Sequence, residues 1–90
     1  MAAIDYQRNE DKIIDEIKEY VDSTYSAHYS GQVQVLDVWD SLGLSKEAYK
    51  TNIIKYAMRA GRKGNQERQD VMKIIHYCLF LINEIDKENE

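Results

Sequence analysis

The chain has no proline, a single cysteine and only four glycines among its 90 residues. Each of these low counts argues against a particular kind of structure or bond. Without proline, and with its few glycines between periodic segments, the chain favours helices. The single Cys78 rules out an internal disulfide and fits a reducing cytoplasm. With only two histidines, a zinc site of the usual Cys/His spacing is disfavoured, and the residue pattern by itself assigns no metal-binding residue.

Long apolar runs and a leader pattern are also missing. No apolar stretch reaches the roughly 18 residues that a membrane span requires. The first residues lack the basic-then-apolar order of a signal peptide, since Asp5 lies between Ile4 and Tyr6. We therefore expect a cytoplasmic protein with no membrane partner.

Length and composition predict a small all-α protein. Ninety residues, 43% hydrophobic and 31% charged, fit a single globular domain spanning residues 1–90. A chain this short buries a modest core. We expect a small bundle of three to four helices that is completed by oligomerisation.

Hydrophobic periodicity places the helices. Residues 1–25 are acidic, with seven acids against three bases, and contain a helix over about 9–24 capped by Asn9. Residues 23–32 are predicted as a loop. Residues 33–42 form a helix rather than a strand, because no second strand exists to pair with it. A central helix over about 46–61 is capped by Ser45, and a last helix over about 66–86 is capped by Asn65.

The last helix is apolar over an unusually wide face. A surface helix in a monomer usually keeps a polar side. This breadth predicts a homo-oligomer formed through the last helix, whose apolar positions are Val71, Met72, Ile74, Ile75, Cys78, Leu79, Phe80, Leu81, Ile82 and Ile85.

The segment NIIKYAMRAGRKGN, residues 52–65, carries four bases and no acid in a chain of net charge −4. Asn52, Lys55, Tyr56 and Arg59 line one side of a helix, and Gly61 can end that helix in a left-handed conformation. Arginine and lysine there suit phosphate oxygens. The spacing of these residues fits two interpretations of the segment equally well. One is a site that binds an anion, and the other is a solvated basic face that forms ion pairs with acidic residues.

Other candidates are weaker on residue pattern alone. His28 and Tyr29 are either a ligand contact or a packed loop anchor. Asp37 lies among apolar neighbours and is either a partner for a base or a ligand-handling carboxylate. His76 is expected to pack. The chain contains no GxxxxGK[ST] and no GxSxG motif, so neither a Walker nucleotide site nor a nucleophile elbow is predicted.

The chain carries an ordered set of short motifs, namely His28-Tyr29, Gly31, VQVLDVW, Asn52 with IKY, RAGRKGN, Asp70, Lys73 and Tyr77. Over about residues 28–82 this set resembles a small phage-encoded family, known as SaV-like or DUF3310. That family includes a nucleotide kinase that phosphorylates deoxynucleoside monophosphates without a P-loop. Three positions depart from its pattern, namely Gln34, where glutamate is frequent, Ile74 and His76. The loss of a carboxylate at Gln34 puts metal binding or base catalysis in question.

The resemblance implies a phage nucleotide-binding protein in the host cytoplasm, acting as a nucleoside monophosphate kinase, with Mg²⁺ as a candidate cofactor that accompanies the nucleotide. It assigns Lys55, Arg59 and Asp37 as catalytic. It places nucleotide contacts at His28, Tyr29, Asn52, Tyr56, Lys63, Asp70 and Lys73, and the basic segment adds Arg62 to them. The bases would hold phosphates, His28 and Tyr29 would contact the base or sugar, and Asp37 and Asp70 would orient cations or hold Mg²⁺.

Two alternatives stay open. The first is a non-enzymatic phage protein that blocks a host defence or replication protein, or sequesters a nucleotide signal. The second is a helical triphosphate pyrophosphatase, for which Glu16/Glu19 and Asp37/Asp40 are the only comparable carboxylate pairs. Nucleic-acid binding is disfavoured, because the chain is acidic, with a pI near 5.1, and its basic cluster is short.

Overall fold

The computed structural model describes residues 3–28, 34–62 and 64–90, with residues 26–28 described by their backbone alone. Four helices follow along the chain: α1 (Glu10–His28), α2 (Val35–Ser41), α3 (Ser45–Arg59) and α4 (Glu67–Glu88). No strand occurs in these described ranges. The predicted all-α class with up to four helices is therefore confirmed.

The chain divides into two compact units, Met1–Ser30 and Gly31–Glu90. The first unit contains α1 and the second contains α2, α3 and α4. The prediction of one domain over residues 1–90 stays a prediction.

Helix α1 extends further than its sequence predicted, because residues 23–28, expected in a loop, are helical. The hydroxyl of Ser23 donates to the carbonyl of Tyr20 at 2.6 Å, and that of Thr24 donates to Val21 at 2.7 Å. Such bonds to the carbonyl three residues earlier let small polar residues stay within a helix. The loop prediction for this part was wrong for that reason.

The junction of α2 and α3 differs in detail from the sequence prediction. Gly43 has φ +70° and follows α2 in the left-handed region, which glycine adopts at little cost. Leu44, not Ser45, is the N-cap of α3. Ser45 is the first helical residue, and its hydroxyl donates a hydrogen bond to the Asp40 carboxylate. The predicted cap at Ser45 was wrong because Asp40 takes that hydroxyl.

Helices α3 and α4 form an antiparallel hairpin that makes most of the tertiary contacts of the second unit. Lys46 near the start of α3 pairs with Glu88 at the end of α4, with Nζ and Oε2 3.1 Å apart. At the other end of the hairpin, Arg59 pairs with Asp70. Ion pairs thus lie at both ends of the hairpin, and only the Arg59–Asp70 pair involves a buried carboxylate.

The connection between α3 and α4 begins at Gly61, whose φ of +82° confirms the predicted left-handed ending. A Cβ atom built on Gly61 would lie 2.6 Å from the carboxylate of the exposed Glu67 side chain, which can move aside. The backbone angle is therefore what favours glycine at this position. Gln66, rather than the predicted Asn65, is the N-cap of α4 and makes no side-chain cap bond. The cap prediction at Asn65 was therefore wrong by one residue.

An aromatic core joins the three helices of the second unit. Tyr49 of α3 is only 3% exposed. Its ring centroid lies 6.1 Å from that of Trp39 in α2, and 6.2 and 5.4 Å from those of Tyr77 and Phe80 in α4. Among the described hydrophobic residues, only Tyr49 and Met72 are classed as buried. The core is small, as the chain length predicted.

Candidate functional site: a cationic cluster around Tyr56

Three cationic groups converge on the ring of Tyr56, half-buried between α3 and α4. The Lys55 Nζ lies 4.7 Å from the ring centroid, the Arg59 Cζ 4.8 Å and the Lys73 Nζ 5.1 Å. Each distance is within the range of a cation–π interaction. Lys55 and Arg59 reach the ring from within α3, whereas Lys73 comes from α4. We call Lys55, Tyr56, Arg59, Asp70 and Lys73 the Tyr56 cluster.

Asp70 is the acidic member of the Tyr56 cluster and is only 2% exposed. The Arg59 guanidinium donates to its two oxygens, from Nη2 at 2.5 Å and from Nε at 3.3 Å. This two-point bond, with help from Lys73, holds the pKa of Asp70 below its usual value. The same hydrogen bond raises the pKa of Arg59. Asp70 therefore stays ionised and fixes the Arg59 side chain beside Tyr56.

The charge of the Tyr56 cluster remains positive. Asp70 offsets Arg59, which leaves the charges of Lys55 and Lys73 as the local excess. The ring of Tyr77 stacks beside Tyr56, with 6.1 Å between centroids and 22° between planes. Two ammonium groups beside a fixed guanidinium and a pair of flat rings form a setting that suits an anion attached to an aromatic group.

A cavity of about 300 Å³ lies one helical turn before Tyr56, between α2 and α3. Asn52, a predicted contact residue, is in its wall, and its Nδ2 donates to the Ala48 carbonyl at 2.8 Å. Trp39 of α2 forms another part of the wall. The sequence did not mark Trp39 as a site residue, because only tertiary packing brings α2 beside Asn52. The remaining lining residues are Leu44, Glu47, Ala48 and Thr51.

Asp37 has a structural contact away from the Tyr56 cluster. Its carboxylate accepts the backbone N–H of Gln34 at 3.0 Å, in the first turn of α2. This is the bond by which an acidic residue at the third helical position supports a helix N-terminus. The catalytic role predicted for Asp37 stays a prediction.

Arg62 follows α3 and has an exposed side chain, while its backbone N–H donates to the Arg59 carbonyl at 2.9 Å. Glu67, which contacts Gly61 as described above, brings an acid to this turn that the segment 52–65 itself lacks. Tyr29, Lys63 and the side chain of His28 lie outside the described residues. Of the predicted site residues, the structure thus brings together Lys55, Tyr56, Arg59, Asp70 and Lys73.

A second cavity, of about 290 Å³, lies at the other end of the α3–α4 hairpin. Its wall is mostly acidic and is crossed by the Lys46–Glu88 ion pair. Across the described part of the chain, no group of three or more His, Cys, Asp or Glu side chains is arranged to hold a metal ion. The wall contains Asp40, Gly43, Ser45, Lys46, Glu47, Glu84 and Glu88.

The second unit thus consists of α2 and the α3–α4 hairpin, with the cations of Lys55, Arg59 and Lys73 around the Tyr56 ring. The family model described as a protein of unknown function, DUF3310, matches residues 23–78, more than half of the chain. The chain belongs to the DUF3310 family, as the resemblance predicted. No curated protein and no solved structure matches the chain.

A helix that crosses a lipid bilayer needs about 20 mostly apolar residues, and this requirement applies to each of the described helices. None of them is long and apolar enough to cross a bilayer.

Proposed function

We propose that this protein binds a nucleotide on its second unit, with the phosphate at Lys55 and Lys73 and the base toward Trp39 and Asn52. The observation that carries the proposal is the convergence of three cations on the Tyr56 ring. Holding like charges together is unfavourable, and a single carboxylate offsets one of them. A bound phosphate would relieve the remaining repulsion.

The position of the neighbouring cavity supports a nucleotide over inorganic phosphate. Asn52 and Lys55 lie on one side of α3, one turn apart, so a ligand along that side reaches both. A cavity near 300 Å³ is at the small end of the range for ligand sites. Trp39 offers a flat surface for a base, and aromatic stacking on a base contributes about 1–3 kcal/mol.

Phosphoryl transfer to a nucleoside monophosphate is the activity that the family resemblance suggests for this site. Lys55 and Arg59 would offset charge as it develops on the transferred group, without a P-loop. Both carboxylate oxygens of Asp70 accept hydrogen bonds from Arg59. The Asp37 carboxylate accepts the backbone N–H of Gln34 at the start of α2. These carboxylates do not fit a protein-held Mg²⁺ site. We propose that Mg²⁺, where used, is held by the nucleotide's own phosphates.

Calorimetric titration with a deoxynucleoside monophosphate tests the binding proposal. Lys55→Gln and Lys73→Gln should each weaken binding about tenfold or more, since a charge-assisted hydrogen bond contributes roughly 1.5–3 kcal/mol. Lys50→Gln is the matched control, because Lys50 lies on α3 with an exposed side chain and is not a member of the Tyr56 cluster. It should change affinity less than twofold.

Comparison of ligands tests the orientation of the nucleotide. Trp39→Leu should weaken binding of the nucleotide but leave the weaker binding of inorganic phosphate unchanged. Equal affinity for the nucleotide in wild type, Lys55→Gln and Lys73→Gln would refute the phosphate assignment. An equal loss for both ligands in Trp39→Leu would refute the base assignment.

Incubation with ATP and a labelled nucleoside monophosphate separates catalysis from sequestration. Formation of the diphosphate, lost in Lys55→Gln, supports the kinase. Tight binding without product supports the alternative, a phage protein that sequesters a nucleotide. A phage origin and action in the host cytoplasm are part of the proposal and rest on the family resemblance alone.

A further inference from the structure

The cavity of about 300 Å³ between α2 and α3, which we call the Asn52 cavity, lies along a face of α3 that changes in charge. Glu47, in the first turn of α3, is part of the cavity wall. Thr51 and Asn52 follow one turn later, and Lys55 follows a further turn on. At about 100° per residue, these four residues lie within about 140° of one another around the helix. The face therefore runs from a carboxylate at the start of α3 to the cations of the Tyr56 cluster near its end.

The Glu47 carboxylate is available to a ligand. Its side chain is exposed, and no residue in the described ranges forms a hydrogen bond or an ion pair with that carboxylate. Lys46, its neighbour in the chain, pairs instead with Glu88, with Nζ and Oε2 3.1 Å apart. A carboxylate has only acceptor oxygens. Glu47 thus presents unused hydrogen-bond acceptors at one end of the Asn52 cavity.

The neighbouring polar side chains of the wall add acceptors more than donors. The Thr51 hydroxyl donates its hydrogen to the Glu47 backbone carbonyl at 2.7 Å. Asn52 uses one N–H of its amide on the Ala48 carbonyl at 2.8 Å, and its Oδ1 oxygen remains for a ligand. A ligand in this cavity is therefore favoured when its polar edge carries hydrogen-bond donors.

We infer that Glu47 is a specificity-determining residue that selects nucleotides whose base carries an exocyclic amino group. This inference rests on the nucleotide binding proposed above. An amino group, such as that of cytosine or adenine, donates hydrogen bonds that a carboxylate accepts. A carbonyl at the same position of the base, as in uracil, directs its lone pairs at the carboxylate and leaves both groups without a partner, which weakens binding.

The charges of this face determine which end of the nucleotide meets Glu47. From Glu47 to Lys55, α3 rises about 12 Å, comparable to the length of a nucleoside monophosphate. With the phosphate at Lys55 and Lys73, the base lies beside Trp39 and its far edge reaches Glu47. The reverse orientation would bring the phosphate against a carboxylate, which repels it. The edge of the base that carries the amino group is therefore the part of the ligand that Glu47 contacts.

Calorimetric titration with matched nucleotides tests the inference. Deoxycytidine and deoxyuridine monophosphates differ at one position of the pyrimidine ring, where the first has an amino group and the second a carbonyl. Deoxyadenosine and deoxyinosine monophosphates give the same contrast in a purine. Wild type should bind the amino member of each pair at least about fivefold more tightly than the carbonyl member. The expected ratio is modest because Glu47 is exposed and water weakens interactions with its charge.

Glu47→Gln tests the contribution of the residue itself. Its carboxamide can turn to donate to a carbonyl or to accept from an amino group, so the ratio of affinities within each pair should fall below about twofold. Glu19→Gln is the matched control, since Glu19 is exposed and does not line the Asn52 cavity, and it should keep the wild-type ratio. A purely structural role of Glu47, through the dipole of α3, would change the affinity for both members of a pair alike.

The outcomes separate this inference from the proposed function. Equal affinities within both pairs in wild type, tighter binding of the carbonyl members, or an unchanged ratio in Glu47→Gln would each overturn selection by Glu47 while nucleotide binding stands. Absence of binding of all four nucleotides would overturn the proposed function, and the inference with it.

Discussion

Replacement of Tyr49 tests whether the aromatic core holds the second unit together. Tyr49 is 3% exposed and its ring contacts Trp39, Tyr77 and Phe80. Truncation of a buried aromatic residue to alanine costs about 3–5 kcal/mol, from lost burial and the cavity that remains. A typical domain has only about 5–15 kcal/mol of stability in total. Tyr49→Ala should therefore lose a large part of the stability of this small protein.

Thermal unfolding followed by circular dichroism at one fixed protein concentration measures the effect. For a domain of this size, 3 kcal/mol corresponds to a fall in Tm of at least about 12 °C. Tyr49→Phe keeps the ring and loses only the hydroxyl, so its cost should stay near 1 kcal/mol. Tyr25→Ala, at a residue 61% exposed, should change stability by less than about 0.5 kcal/mol. Similar Tm values for Tyr49→Ala and Tyr25→Ala would refute the central role of Tyr49.

Three further outcomes follow from single contacts. Asp70→Asn should lower the free energy of unfolding at pH 7. Because the pKa of Asp70 is depressed in the folded state, the stabilisation by its carboxylate is lost as the pH falls below about 4, and the variant should show a smaller loss of stability over that range. The same dependence of stability on acid pH in wild type and variant would contradict this. Gly61→Ala and Gly43→Ala should each destabilise in urea unfolding by about 1–2 kcal/mol, since both have positive φ and the exposed Glu67 side chain can move away from a Cβ on Gly61; no loss at either position would contradict the role of the backbone angle. Burial lowers the pKa of His76 below 6.5, so the unfolded chain takes up a proton first and stability should fall as pH drops below about 6.5. His76→Gln should lessen that fall between pH 6.5 and 5.5, and an identical pH profile would exclude His76 as its source.

The fold was largely predictable because each helix has a clear apolar period bounded by glycine or polar residues. The exceptions arose where side chains bond to the backbone or to each other. The hydroxyls of Ser23 and Thr24 bond back within α1, and Asp40 takes the hydroxyl of Ser45. Composition marks such residues as loop or cap formers. Their actual partners depend on local geometry that periodicity does not specify.

The site was predictable only in part, for a related reason. Spacing placed Lys55, Tyr56 and Arg59 on one side of α3, because helical geometry fixes neighbours within a helix. Spacing could not show that Asp70 is buried against Arg59, since that contact depends on how α4 packs on α3. Trp39 was missed for the same reason, as it reaches the Asn52 cavity from another helix.

Helix α4 shows why wide apolar coverage was the most ambiguous feature of the sequence. Helix α4 carries two stripes, one with Lys73, Tyr77 and Phe80 and another with Val71, Ile75, Cys78, Ile82 and Ile85. At about 100° per residue, their centres lie roughly 150° apart around the helix. Summed over the helix, the two stripes look like one broad apolar face. The contacts with Tyr49 and Tyr56 separate them, since α3 uses the stripe that contains a lysine and a tyrosine. The other stripe, aliphatic apart from Cys78, is left with Val71, Ile82 and Ile85 at 40–55% exposure, and burial of that stripe requires something other than α3.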